Sequence, residues 1–359
     1  MKKKHVFCLL LALVFLFSAA ALFAGGEKAE KEAAKPEKEY HWRWVSEEVE
    51  GDFMTVWAKK FAKEMNEWSG GKITIDVYPY GTLGAEKDIN ELCQNGTVEF
   101  VMSDYGWISG FVPQAQVLCL HYLWPKEKTP QVIEEVVLNG ESYKMIGDAF
   151  RDKNFQMLGW LFEGWQWVTS NKPLRSLEDF KGLKMRVMMS KMLVESYRAY
   201  GASPTPMDYG EIYSGLQMGL IDAQCQPMFA NYSMKFYEVQ DHFTQLYADL
   251  FVAIPSANKQ FFDSLPQNIQ DKILSYWKEN IIPAAEWGMQ NDKEKRELIK
   301  EDRPSIEYYT YSQKELEPFE KRAKTVYPKY VDVGGEGAQE ILDAFLADLE
   351  EAKEKFGVE

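Results

Sequence analysis

The sequence is poor in the residues that carry most catalytic and metal chemistry. Four histidines and four cysteines are spread over 359 residues. Past the first 24 residues there remain His41, His121 and His242, and Cys93, Cys119 and Cys225, all widely separated. No H-E-x-x-H and no C-x-x-C occurs, so neither a metal site nor a cofactor is expected. A sparse, odd set of thiols is no disulfide framework, and buried free cysteines are the plainer expectation. There is no G-x-S-x-G elbow and no phosphate-binding P-loop. Gly334-Gly335-Glu336-Gly337 precedes a helix pattern but lacks the order of a dinucleotide fingerprint. Without a nucleophile or metal motif, an enzyme is not expected. Positive charge is also in deficit, with 41 Lys and Arg against 55 Asp and Glu and a net charge of -14. That excludes electrostatic binding to nucleic acid or to an anionic membrane surface. No internal repeat is visible, and no apolar run beyond the N-terminus approaches membrane-spanning length.

What is present is ordinary globular material, 46% hydrophobic and 27% charged. The length exceeds what one core usually supports, so two domains are expected. The 11 Trp, 19 Tyr and 21 Phe fill a core, and some could line a ligand cleft. Lys2-Lys3-Lys4, the apolar run Val6 to Phe17, and the small residues Ala19-Ala20-Ala21 and Ala24-Gly25 form a secretory signal pattern, assigned to residues 1–24. The alternative is an uncleaved anchor, since Val6 to Ala24 is just long enough to span a bilayer. Cleavage predicts a soluble periplasmic protein that is not itself integral to the membrane, and shifts the charge to about -17. Residues 25–39 (GGEKAEKEAAKPEKE) cannot bury enough apolar surface to fold and read as a tether.

Pattern begins at Tyr40. Tyr40 to Val45 reads as a strand. Asp52 can cap a helix whose Met54, Trp57, Ala58, Phe61, Ala62 and Met65 share one face, ended by Gly70-Gly71. Ile73, Ile75 and Val77 alternate as a strand. A helix from Ala85 to Gln94 leads through Asn95-Gly96 into a strand at Val98 to Met102. Strands are expected at Phe155 to Phe162, Leu183 to Val187 and Leu220 to Gln224, and a helix at Tyr209 to Met218. This alternation implies an α/β architecture with largely parallel sheets. From Pro266 onward the pattern is mostly helical.

Three segments carry a binding signal. In Lys181-Gly182-Leu183-Lys184-Met185-Arg186-Val187, Arg186 lies inside an apolar strand and needs an anionic partner, either a protein carboxylate or a ligand. Gly201-Ala202-Ser203-Pro204-Thr205-Pro206-Met207 is a rigid turn delivering Asp208 and Tyr209 to a helix start, where Tyr209 could line a cleft or join the core. Gly219 to Pro227 is a strand ending in polar groups, and strand ends are where α/β sheets bind ligands.

At these residues the chain resembles the solute-binding subunit of tripartite ATP-independent periplasmic (TRAP) transporters, DctP type. The resemblance also runs through Phe61-Ala62-Lys63-Glu64, Gly70-Gly71-Lys72-Ile73, Gly81-Thr82-Leu83-Gly84, Thr169-Ser170-Asn171-Lys172-Pro173, Glu211-Ile212-Tyr213 and Leu216-Gln217. It implies a two-domain periplasmic-binding-protein-like α/β fold with a hinged ligand cleft and a helical C-terminal region. On that pattern residues 40–163 with 252–290 form one domain, and 164–251 with 291–359 the other. The partners implied are a small carboxylate ligand and the TRAP permease subunits in the membrane. The family's carboxylate-binding arginine falls on Arg186, whose planar guanidinium can form two parallel hydrogen bonds to a carboxylate. The substrate-packing aromatic falls on Tyr209, and the strand-end amide on Gln226. Where some members carry a second arginine, this chain has Gln166, flanked by Trp165 and Trp167. One carboxylate anchor among aromatic and amide groups suggests a monocarboxylate with an apolar or neutral polar body. Asp104 follows a strand and could accept a ligand hydrogen bond or serve as a turn or helix cap. The rival readings are a binding protein for an ABC importer or a sensor, and a periplasmic α/β enzyme.

Overall fold

Alternating and continuous apolar runs become ten strands of one mixed sheet in a computed structural model that describes residues 35–358. The signal segment and residues 25–34 of the tether fall outside the described residues. The strands are β1 (Tyr40–Ser46), β2 (Ile73–Tyr78), β3 (Phe100–Asp104), β4 (Phe155–Met157), β5 (Leu161–Ser170), β6 (Lys184–Val187), β7 (Ser203–Pro206), β8 (Ala223–Gln226), β9 (His242–Asn258) and β10 (Glu307–Thr310). Their order is β2-β1-β3-β9-β5-β8-β6-β7, with β4 and β10 also paired to β9.

The expected parallel sheet is only half the answer. β1 runs parallel to β2 and β3, and β6 parallel to β7 and β8, as helix-linked strands should. The centre is antiparallel: β9 opposes β3, β4 and β5, and β5 opposes β8. β9 was not visible in the sequence because nearly all of its 17 residues are buried. A strand covered on both faces shows no alternation. β5 and β9 each belong to both halves of the sheet. The start of β5 and the end of β9 pair beside β3 and β4, while the end of β5 and the start of β9 pair beside β8 and β10. Between these stretches the β5–β9 register breaks twice, around Glu163 and between Trp165 and Trp167.

Helix α1 (Phe53–Ser69) buries Phe53, Met54, Trp57, Ala58, Phe61 and Met65, as its spacing predicts. Burying a side chain such as Phe61 contributes about 1.5–3 kcal/mol. Gly70 ends the helix at φ 67°, a left-handed conformation that glycine adopts without penalty. Asp52 sits at the N-cap, but its side chain makes no capping bond and instead accepts from the Ser233 hydroxyl at 2.6 Å. Further helices are α2 (Glu86–Gln94), α3 (Thr129–Asn139), α4 (Glu141–Asp152), α5 (Lys191–Ala199), α6 (Gln267–Glu279), α7 (Ile281–Asp302), α8 (Gln313–Lys324) and α9 (Ala338–Phe356). After Pro266 only β10 interrupts the helices, as the pattern predicted.

Three other expectations shift. The Ser203–Pro206 turn is the edge strand β7, where prolines cost no ladder bond. The strand placed at Leu220 starts at Ala223, because Leu220 lies exposed in the preceding turn. The Tyr209 helix is a three-residue 3-10 turn followed by the short helix Ile212–Gln217. One large core runs through the sheet, with Trp44 stacked on Phe100 at 4.9 Å and Phe61 on Trp277 at 5.3 Å. Long helix α7 packs along β5, on the segment 228–233 and against α3. Its Gly288 lies so close that a Cβ there would meet the Glu163 carbonyl oxygen at 2.7 Å. Cys93, Cys119 and Cys225 are buried free thiols, as expected.

Candidate functional site

The ends of several strands converge on one buried cavity. Glu47 and Glu48 follow β1, Asp104 closes β3, Arg186 lies on β6 and Gln226 ends β8. Met54 from the first turn of α1, Trp107, Met188, Tyr209 and Phe251 complete the walls. Its free volume is about 10 Å³, the room of a single water. A small organic acid is far larger, so its entry requires the walls to part. A wider groove of about 630 Å³, lined by Trp124, Lys126, Tyr247 and Lys353 among others, opens to solvent elsewhere. Its charged groups are largely hydrated, whereas those of the small cavity are buried.

Arg186 is 1% exposed. Its Nε donates to the Met207 carbonyl at 3.0 Å, but Nη1 and Nη2 have no partner. A buried guanidinium with two idle donors is costly unless something anionic meets it. Burial pulls its pKa down, yet guanidinium starts so high that it stays charged. Tyr209 is held in place through its N–H, which donates to the Glu86 carboxylate at 2.9 Å. Its ring packs edge-on against Tyr80 and Phe236.

Carboxyl groups dominate the rest. Glu47 Oε2 accepts from the Ser103 hydroxyl and the Asp104 N–H, at 2.5 and 2.8 Å. Glu48 Oε2 accepts from the Met54 N–H at 2.6 Å. Asp104 Oδ1 accepts from the N–H groups of Gly106 and Trp107, capping the turn 105–108 while also lining the cavity. Behind them, Glu163 is fully buried and neither of its oxygens has a donor. Burial pushes all four pKa values up. The next contribution is repulsion by Asp104 for Glu47, by Asp52 for Glu48 and by Glu48 for Glu163. Glu48 reaches about 8 and neighbouring Glu86 about 7, burial leading in both.

Of the residues singled out in the sequence, the structure brings Arg186, Tyr209, Gln226 and Asp104 together. Gln166, Trp165 and Trp167 are not brought to this cavity. Gln166 donates to the Tyr105 hydroxyl at 2.8 Å and to Asp249 Oδ2 at 2.7 Å, in a separate buried network. Trp165 meets Tyr247 edge to face, beside the break in β9. Trp167 packs with Met228, Tyr237, Phe243, Ile299 and Ile306 in a second hydrophobic cluster. The bulges in β5 send these side chains elsewhere, and it is Glu163 that β5 turns toward the carboxyls. Sequence reasoning missed Glu47, Glu48 and Glu163, because in a chain with 55 Asp and Glu an adjacent pair of carboxylates is ordinarily solvated surface. The available signal was position: Glu47-Glu48 directly follows a strand, at the carboxyl end where α/β sheets bind ligands.

Residues 46–332 match the family model described as bacterial extracellular solute-binding protein, family 7. The chain belongs to this family. It is a solute-binding protein of the TRAP type. The ectoine-binding periplasmic protein TeaA of Halomonas elongata is 32% identical over 86% of this chain and 90% of its own. The ectoine/5-hydroxyectoine-binding protein UehA of Ruegeria pomeroyi is 32% identical over 94% of this chain and 98% of its own. The high-resolution structure of the Halomonas protein superposes with a TM-score of 0.82 at 32% identity, covering 87% of this chain and 100% of that one. A TRAP solute-binding protein from Desulfovibrio salexigens with bound orotic acid gives 0.82 at 25% identity, over 88% and 100%. The fold is thus the two-domain fold of TRAP periplasmic binding proteins, and the family is one of binding proteins that serve a membrane permease. No helix among the described residues is long and apolar enough to cross a membrane.

Proposed function

We propose that this TRAP protein captures a small solute bearing one carboxylate and, at its opposite end, a cationic N–H group. The carboxylate pairs with Arg186, while the cation faces Glu47, Glu48 and Asp104. Tyr209, Trp107 and Phe251 clasp the body between them, and Gln226 offers an amide. The observation that carries this is the pair of buried, partnerless Arg186 nitrogens in a cavity also lined by Glu47, Glu48 and Asp104. Ectoine, which the two relatives are named for binding, has this charge pattern: one carboxylate and one cyclic amidinium. The acidic wall changes the expectation of a neutral body. It also disfavours the C4-dicarboxylates that other relatives are named for, since a second carboxylate would face buried acids.

Residues 40–163 with 252–290 and 164–251 with 291–359 act as two domains hinged where β5 and β9 change register. Residues 1–24 direct export, so the mature protein works outside the cytoplasmic membrane and delivers its ligand to a TRAP permease. A thermal-shift screen of ectoine, other zwitterions, succinate and uronates tests the ligand class, because a ligand bound only by the native state raises its melting temperature. Ectoine-like zwitterions should give the largest shifts. A larger shift with succinate would overturn the zwitterion reading.

A further inference from the structure

Glu163 reaches its place by a backbone irregularity. Phe162 pairs with Val252 and Gly164 with Phe251, so Glu163 is the extra residue of a bulge in β5. Bulges re-aim side chains beside binding sites. Helix α7 closes the space behind it, through the contact of Gly288 with the Glu163 carbonyl. The Glu163 carboxyl meets that of Glu48. Two ionised carboxylates cannot hydrogen-bond one another, because each only accepts. Buried side by side they cannot both ionise, and one proton between them turns repulsion into a hydrogen bond.

The surroundings supply little positive charge. Glu47 and Asp104 also act on Glu163. Asp52 at the start of α1 acts on Glu48. Glu86 from α2 acts on Glu47. From α7, Asp292 approaches the neighbouring Gly164, and Lys295 acts on Asp52. From β9, Asp249 is already bonded to Tyr105 and Gln166. Arg186 from β6 is the cation lining the cavity, and its free nitrogens are the carboxylate anchor.

We propose that Glu163 and Glu48 share one proton in the ligand-free protein, and that a cationic group on the solute expels it to solvent on binding. Glu163 is then a positioning residue that makes the site discriminate by ligand charge. A zwitterion places positive charge beside the pair, which favours its fully ionised form and releases the proton. A simple anion removes the influence of Arg186 and adds negative charge, so the pair holds its proton more firmly. The direction of proton movement therefore reports the ligand's charge pattern. This rests on the ligand class proposed above, but the shared proton exists without ligand and is measured separately.

The first measurement is carboxyl carbon NMR of the ligand-free, glutamate-labelled protein across a pH series. One carboxyl of the pair should remain protonated at neutral pH, and Glu163→Gln should leave Glu48 ionised with an amide donor. Both carboxylates ionised at pH 6 would overturn the proposal. The second is calorimetric titration with ectoine in two buffers of different ionisation enthalpy. Ectoine should bind with net proton release, reduced toward zero in Glu163→Gln and in Glu48→Gln. Succinate, if it binds at all, should release none. Ectoine binding with the same heat in both buffers would overturn expulsion. Failure of ectoine and other zwitterions to bind would refute the ligand class and with it expulsion, while the NMR series still decides the shared proton.

Discussion

Two buried polar clusters in this sheet differ in whether their charged groups are paired. Around Asp249 both carboxylate oxygens find donors: Oδ1 accepts from the Tyr105 hydroxyl and Oδ2 from Gln166, both at 2.7 Å, while Gln166 Oε1 and His121 Nε2 are left without hydrogen-bond partners. His121 joins by its contact with the Tyr200 hydroxyl at 2.8 Å, its other ring nitrogen standing 3.8 Å from Asp249. Burial keeps this histidine neutral, its pKa pulled down to about 3. Around Arg186 the charged group itself is unpaired, with two guanidinium nitrogens left without partners. A buried carboxylate bonded on both oxygens rigidifies the fold, whereas a buried guanidinium with idle donors calls for an anionic partner. The first cluster ties β3, β5 and β9 together at the register break. The second is the place of the proposed solute.

The sharpest way to break that comparison is at Arg186. Arg186→Ala should weaken ligand binding by about 3–5 kcal/mol, the cost of leaving a buried carboxylate unpaired. That is roughly 100-fold or more in affinity. Arg186→Lys keeps the charge but loses the planar fork, so affinity should still fall clearly. The ligand-free melting temperature should change far less than affinity, because the Nε bond to Met207 is the one hydrogen bond lost and an unpaired buried charge goes with it. Titration calorimetry beside melting curves decides it. Normal affinity with a collapsed melting temperature would make Arg186 a structural residue.

The opposite pattern is expected at Asp249. Asp249→Ala removes the shared acceptor of the Tyr105 hydroxyl and the Gln166 amide, leaving them bonded to each other alone. Stability should fall by about 2–3 kcal/mol, with a far smaller change in affinity than at Arg186. Chemical denaturation and the same calorimetric assay read both quantities. A loss of affinity equal to that of Arg186→Ala would merge the two clusters into one site.

Both clusters contain acids that burial holds above their ordinary range, and this gives a pH signature. Glu48 and Asp249 are pushed up to about 8, and Asp52, Glu86 and Asp292 to about 7. Between about pH 4, where unfolded carboxyls titrate, and pH 8, the folded state binds protons that the unfolded state has lost. Stability from these groups is therefore complete below about pH 4 and declines as pH rises through 7 to 8. Glu315, held down at about 2 by Ser312 and Tyr309, and the lowered Asp179 and Asp263 act in the other direction and lose stability on acidification. Melting temperature should peak near pH 5 and fall steadily toward pH 8.5. A flat or rising profile above pH 5 would mean that the buried acids are ionised and solvated in the folded protein.

What the sequence disclosed follows periodicity. The α1 face, the β2 alternation and the late helices were legible because each is covered on one side only. β9 was not, since a strand buried nearly all round carries no alternation to read. At the site, Arg186 stood out as a charge inside an apolar strand. Glu47 and Glu48 did not, because in so acidic a chain two adjacent glutamates look like surface. Glu163 depends on a bulge, and neither its neighbours in sequence nor their hydropathy announce one. The same bulge explains why Gln166, Trp165 and Trp167, adjacent in sequence to Glu163, lie away from the cavity.

That last contrast gives the smallest expected effect. Sequence position alone puts Trp167 beside the ligand, while its packing puts it in the separate cluster with Met228, Phe243 and Ile299, ring edge against Tyr308. Trp167→Phe removes part of a buried ring and should cost about 1–2 kcal/mol of stability, a partial truncation compared with the 3–5 of a full Trp→Ala change. The aromatic body is kept, so the β5–β8 pairing of Trp167 with Gln226 should persist. Affinity should stay within about twofold, below the 0.5 kcal/mol that separates independent sites from coupled ones. Calorimetric titration on a variant shown to be folded at the assay temperature reads this directly. A tenfold loss would place the indole in the ligand's path and undo the separation of the two faces of β5.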